Sequence, residues 1–143
     1  MTHGLDRSAL SGDLNAASAG YLPGLLGIAF TSAGDGWIEA GLAIRQAVMA
    51  PNGFLHAGTV VTLADSCCGH GCMRTLPDGA AGFTTVELKS NFLGTAREGF
   101  IDCRAEIAHR GRSTQLWDAK VTHRETGKTL ALFRCTQMIL WPR

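Results

Sequence analysis

Between His56 and Leu76 the chain carries one acidic side chain, Asp65, set among apolar, small and sulfur-containing residues. Burying a carboxylate there without a partner is unfavourable. Asp65 therefore reads either as a functional acid or as a helix-edge residue bonded to a neighbouring loop. His56-Ala57-Gly58 opens the same segment. The first turn of a helix leaves backbone N–H groups unpaired, and their partial positive charge suits a negative charge developing on a substrate oxygen. The N–H groups of Ala57 and Gly58 fit that need. No Ser or Cys in a nucleophile elbow accompanies His56, so its reading is a residue that fixes the turn by a hydrogen bond.

Two further clusters invite chemistry. Arg110-Gly111-Arg112 forms a tight cationic turn able to present two guanidinium groups to phosphates, although solvated loop arginines look the same in a sequence. Cys67, Cys68 and Cys72 crowd one helical stretch near His70, with Cys103 and Cys135 elsewhere. An odd count of five is not a disulfide framework, and no second ligand pair exists for zinc, so they read as small core residues and no metal is expected.

These residues need a scaffold, and its order is legible. Met1 to Tyr21 is rich in Ala, Ser and Gly with a weak helical pattern over residues 9–19, a short lead-in to a single domain over 22–143. Apolar residues from Leu25 to Phe30, then Gly34-Asp35-Gly36, then alternation from Trp37 to Ile44, predict a β-hairpin. From His56 to Leu76 a proline-free run, apolar around most of its circumference, predicts a long buried helix that Pro77-Asp78-Gly79 ends. Four strands follow at 83–93, 100–109, 114–123 and 130–141, half-buried by their alternation and joined by turns that suggest an antiparallel meander. The fold class is α+β, an antiparallel sheet curled around one central helix.

Composition narrows the function. Thirteen Lys and Arg against twelve Asp and Glu leave a charge of +1, with no footprint for a nucleic-acid backbone. No run is long and apolar enough for a membrane span or a signal peptide, so a soluble, cytoplasmic protein is expected.

The run from Pro51 to Gly58 leading into Leu63-Ala64-Asp65, with Thr85 to Leu93 and Gly111-Arg112-Ser113, resembles the hotdog-fold acyl-CoA thioesterases of the phenylacetate-degradation type over about residues 22 to 140. The resemblance implies hydrolysis of an acyl-CoA, with an aryl or medium-chain acyl group, by Asp65 as base or nucleophile and the Ala57 N–H as polarising donor. One carboxylate and one donor suffice because a thiolate leaves readily. It also implies that the Thr85 hydroxyl orients the water or the carboxylate, that Asn52, His56, Gly58 and the 110–112 turn contact the substrate, and that no cofactor is needed. Two departures stand out: the family usually has Gly at the position of Ala57, and Ala50 occupies a position where many relatives carry Asn. A β-hydroxyacyl thioester dehydratase and a non-catalytic acyl-CoA-binding module remain as alternatives. Relatives are built as homodimers or as dimers of dimers, and positions 57 and 65, roughly 12 Å apart along one helix, point to a site shared between subunits.

Overall fold

The computed structural model describes the backbone of residues 7–143 and side-chain burial from residue 12. Helix α1 spans Arg7–Ser18 and α2 Leu22–Leu26; β1 (Ala29–Gly34) and β2 (Trp37–Ala43) follow, then the long helix α3 (Ala57–Arg74). Strands β3 (Gly82–Phe92), β4 (Phe100–Arg110), β5 (Thr114–His123) and β6 (Thr129–Leu140) complete one antiparallel sheet in the order β1-β2-β4-β5-β6-β3. This is the α+β hotdog arrangement, with α3 lying across the inner face of the sheet. Residues 1–6 of the lead-in expected at 1–21 lie outside the described residues. Among those described, no helix is long and apolar enough to cross a membrane.

The local causes are plain. Asp35-Gly36 closes the β1–β2 hairpin, with Gly36 at the second central position in the left-handed φ of 79° that favours glycine there. His56 caps α3, its Nδ1 accepting the Gly58 N–H at 2.7 Å. The helix ends at Arg74, three residues ahead of Pro77. Its inner face buries Thr59, Val60, Leu63, Ala64, Cys67, Cys68, Gly71 and Cys72. Gly71 sits directly over Trp117 of β5, where an added Cβ would overlap the indole ring. Asn15 ties α1 to the outer edge of β1, donating to the Phe30 carbonyl at 3.0 Å and accepting the Phe30 N–H at 2.8 Å.

Four expectations need correction. Leu25 belongs to α2, not to the first strand: Pro23 suits a helix N-terminus, and Gly27 at φ 80° ends the turn, so β1 begins only at Ala29. The meander holds for β4, β5 and β6, but β3 crosses to the far side of β6. Strand β3 is not half-buried; it forms an edge, and Leu88 and Phe92 are 44% and 48% exposed. Helix α3 is also not enclosed on all sides, because Ala57, Gly58 and Met73 are exposed and Thr62, Asp65, Ser66 and Gly69 only partly covered. Apolar periodicity reports what a residue type prefers, whereas coverage depends on which neighbours reach it.

The fit at Gly71 yields a prediction. Gly71→Ala should lower the stability of the chain by about 1–3 kcal/mol through overpacking against Trp117. A denaturation midpoint equal to that of the wild type would mean that the indole has room to shift.

Candidate functional site

The turn before α3 is built by its own backbone. Ala50 N–H donates to Phe54 O at 2.7 Å, Gly53 N–H to Ala50 O at 3.0 Å, and the Asn52 carboxamide oxygen accepts the Phe54 N–H at 3.1 Å. The Thr59 hydroxyl and the His56 N–H both donate to Val48 O, which fixes the entry to the helix. Of the two donors expected at this end, the Gly58 N–H is already given to His56 Nδ1. The exposed Ala57 N–H has no hydrogen-bond partner among the described residues, which leaves it free to donate.

Helical geometry shows where Asp65 looks. The Cys67 thiol meets Cys103 of β4, and the Cys68 thiol meets Cys135 of β6. At ~100° per residue, Asp65 lies about 60° beyond Cys68 in the same rotational sense, past β6 and toward β3. It is partly buried, its Oδ1 is sealed from solvent without a hydrogen-bond partner among the described residues, and burial pushes its carboxyl above the ordinary range.

Strand β3 supplies the facing wall through a bulge. Thr85 pairs with Gln137 of β6 and Glu87 with Thr136, leaving Val86 as the extra residue. Cross-strand partners share a face. Because Cys135, Gln137 and Ile139 are buried on the inner face of β6, their partners Leu88, Thr85 and Phe83 turn inward as well. Simple alternation back from Leu88 would have sent Thr85 outward and Val86 inward. The Thr85 hydroxyl donates to Gln137 Oε1 at 2.6 Å. Three of the four buried polar side-chain atoms without partners among the described residues, Asp65 Oδ1, Ser90 Oγ and Gln137 Nε2, belong to this stretch of α3, β3 and β6. Each such buried, unanswered polar atom asks for an explanation, and Asp65 and Gln137 supply the ones nearest the residues singled out from the sequence.

The 110–112 turn lies elsewhere, beside the exit of α3. With Thr75, Pro77, Asp78 and Trp141 it lines a groove of about 610 Å³. Arg110 is ion-paired with Asp35 at 2.9 Å, and Arg112 stacks on Trp141 at 4.6 Å. Gly111 is needed there, since a Cβ would lie 2.6 Å from His109 Nε2 and 2.8 Å from the Thr114 carbonyl. Sequence reading missed Arg97, which stacks on Phe54 at 4.3 Å in a loop whose Ala96 carbonyl accepts the Leu55 N–H, beside the Ala57 turn. It also missed Gln137, whose burial was hidden inside an alternating strand. All five cysteines are free and buried, and burial pushes the Cys72 thiol up to about 12. Among the described residues no three His, Cys, Asp or Glu side chains converge as a metal site would need.

Comparison with known proteins gives the family. A family profile described as the Thioesterase superfamily matches residues 52–130. A 1,4-dihydroxy-2-naphthoyl-CoA hydrolase of Listeria monocytogenes is 33% identical over 111 residues, which cover 78% of this chain and 89% of the relative. A hydrolase of the same name from Escherichia coli is 31% identical over 127 residues, 89% and 92% of the two chains. Among solved structures, a glutamine-to-alanine variant of a Pseudomonas aeruginosa thioesterase superposes with a TM-score of 0.86 at 27% identity, covering 97% of this chain and 96% of that one.

The raised Asp65 carboxyl has a consequence for stability. Between its ordinary and its raised pKa the folded chain keeps a proton that the unfolded chain has released, so stability falls as pH rises through that window and stays lower at neutral pH. Asp65→Asn should therefore raise the thermal midpoint at pH 7, by about 2–4 °C for each kcal/mol relieved. The gain should vanish below about pH 4, where both states are protonated. A difference between the two proteins that does not change with pH would show that the carboxyl is solvated like a surface group.

Proposed function

This chain belongs to the thioesterase superfamily and is a thioester hydrolase, and from that premise we propose that its substrate is an acyl-CoA, of the kind hydrolysed in the phenylacetate-degradation type, with an aryl or medium-chain acyl group. An aryl acyl group has the support of the two relatives named dihydroxynaphthoyl-CoA hydrolases. The observation that carries the catalytic reading is one helix holding both an unpartnered Ala57 N–H and an unpartnered, buried Asp65 oxygen.

In this reading the thioester oxygen accepts the Ala57 N–H, which stabilises the charge gathered in the tetrahedral intermediate. Asp65 takes a proton from water, the water oxygen bonds to the acyl carbon, and the C–S bonding pair leaves as the CoA thiolate. Thr85 orients that water. His56 holds the N–H in place through Gly58, and Asn52, whose oxygen closes its own turn, offers its NH₂ group to the substrate. The 110–112 turn receives the CoA phosphates, chiefly through Arg112, because Arg110 already answers Asp35. Since Ala57 contributes only backbone, its methyl group is compatible with the role.

The site is shared by two subunits. Ala57 and Asp65 lie roughly 12 Å apart along one helix, too far for one carbonyl to meet both. The outer edge of β3 pairs with no strand, and its inward Leu88 and Phe92 are uncovered, a surface that a second copy would bury. With the two α3 helices related by a two-fold axis, Ala57 of one chain comes opposite Asp65 of the other. The assembly is a homodimer or a dimer of such dimers.

Two measurements test this. Thiol release from a panel of aryl and alkyl acyl-CoAs should show turnover that Asp65→Asn lowers at least ~100-fold while the fold is kept. Inactivity across the whole panel, or a fully active Asp65→Asn, would overturn the reading. For the shared site, Asp65→Ala and Ala57→Pro should each be nearly inactive. Proline is tolerated at a first helical position, and His56 at ψ 133° already has the extended conformation a following proline demands. Co-refolded in equal amounts, they should regain roughly a quarter of wild-type activity, because about half the dimers are mixed and each mixed dimer has one intact site. No recovery from folded mixed dimers would place the whole site within one chain.

A further inference from the structure

We propose that Gln137 is a positioning residue that fixes the Thr85 hydroxyl as a hydrogen-bond acceptor toward the attacking water, an inference that rests on the reading of Asp65 and Thr85 above.

Gln137 is 0% exposed on the inner face of β6, between Gln115 of β5 and Thr85 of β3, its two cross-strand partners. Gln115 is also 0% exposed, and its polar atoms have structural work of their own. Its Oε1 accepts from Trp117 Nε1 at 2.8 Å, while its Nε2 donates to the Thr75 carbonyl at 3.0 Å. The single proton of the Thr75 hydroxyl has the Gly71 carbonyl, at 2.9 Å, as its nearest acceptor. Gln115 thus locks the end of α3 to the sheet, whereas Gln137 Nε2 stays buried without a partner among the described residues.

A buried amide with an orphaned NH₂ is unfavourable to folding, and an apolar side chain of equal size would fill the same space without that penalty. Among the described residues the only hydrogen bond of the Gln137 side chain is the one its Oε1 accepts from Thr85, at 2.6 Å. The two residues differ sharply in setting: Thr85 is exposed on the open side of β3, whereas Gln137 is part of the rigid core. The bulge at Val86 turns Thr85 inward to reach that amide.

A threonine hydroxyl carries one proton and two lone pairs. Once its proton is given to Gln137, Thr85 can only accept. A water that donates one hydrogen to Thr85 Oγ1 and the other to the Asp65 carboxylate has its oxygen lone pair directed at the acyl carbon. When attack occurs, the proton on the Asp65 side moves to the carboxylate, the new C–O bond forms, and the thiolate departs with the C–S electron pair. The Thr85 hydrogen bond holds throughout, so this residue orients and transfers nothing.

The experiment combines Gln137→Leu, Thr85→Val and the double variant, with kcat, KM and thermal midpoint measured on the best acyl-CoA of the panel. Gln137→Leu should lower kcat roughly 10- to 100-fold with KM changed less than about 2-fold, as expected when a reacting group loses its orientation. Its thermal midpoint should equal or exceed that of the wild type, which a merely structural glutamine would not allow. Thr85→Val should show a similar loss, and the double variant should be no worse than the poorer single one, since the two act as one unit. Thr85→Ser, which keeps the hydroxyl, should keep most of the activity. If Thr85→Val loses turnover and Gln137→Leu does not, the inference falls while the proposed mechanism stands. Additive losses overturn it too, because Gln137 would then act by another route. An unimpaired Thr85→Val removes Thr85 from the mechanism and this inference with it. Gln137→Met, of similar length and equally free of an acceptor oxygen, replaces the leucine variant if that one does not fold.

Discussion

The closeness of α3 to the sheet governs where everything else can lie. Gly71 has no side chain, and the Trp117 ring fills the space a Cβ would need, so helix and sheet meet tightly over β5. From that pivot the Cys67–Cys103 and Cys68–Cys135 contacts set the rotation of the helix about its axis. Both pairs are small, which keeps the helix pressed toward β4, β5 and β6. A six-stranded sheet is wider than one helix, however, and at strand spacings of ~4.8 Å its outermost strand is covered only in part. That strand is β3, where Phe83 reaches Gly69 of the helix while Leu88 and Phe92 stay exposed, and the helix turns Asp65 toward it. The partial cover of β3 thus follows from packing geometry before any chemistry is considered.

Closing one end of the inner face and leaving the other open divides the polar groups into two kinds. Near the β1 edge they satisfy each other: Asn15 pairs with the Phe30 backbone, and Ser18 Oγ meets His70 Nε2 at 3.0 Å. Near β3 they do not. Asp65, Ser90 and Gln137 each keep an atom sealed from solvent and unanswered. A chain selected for stability alone would have apolar residues at these positions, and the proposed site accounts for the misfits through substrate, water or a second subunit.

The order of elements, the limits of α3 and the isolation of Asp65 were legible because each has a local cause. Helix α3 is framed by a capping histidine and by Pro77, and Asp65 is conspicuous by composition. What could not be read depends on tertiary placement. Nothing near Gly82 says that the following strand crosses to β6 instead of pairing with β4. The alternation of Val86, Leu88 and Phe92 suggested a single buried face, but the bulge displaces Val86 and brings Thr85 inward, a shift decided by pairing with β6. Helix α2 was hidden because five residues are too few for a period, although Pro23 and Gly27 were its punctuation. Gln137 read as one more polar residue in an alternating strand, and only its zero exposure and its bond to Thr85 set it apart.

The mechanism proposed above asks for little catalytic apparatus. Its oxyanion donor is main chain, so what matters at Ala57 is that its N–H stays unengaged while His56 occupies the neighbouring Gly58 N–H. A backbone donor is fixed by the helix itself and cannot rotate away, so it stabilises developing charge without reorganising. The acid is different. In the proposed mechanism it takes a proton from water, and burial raises the carboxyl in the direction that favours holding one. Each proposed group is prepared by the structure around it: the donor by its place in the first turn of a helix, the carboxyl by burial. Because both lie on one rigid helix and yet too far apart to serve one carbonyl, the proposed mechanism requires two copies of the helix to bring the complementary halves together.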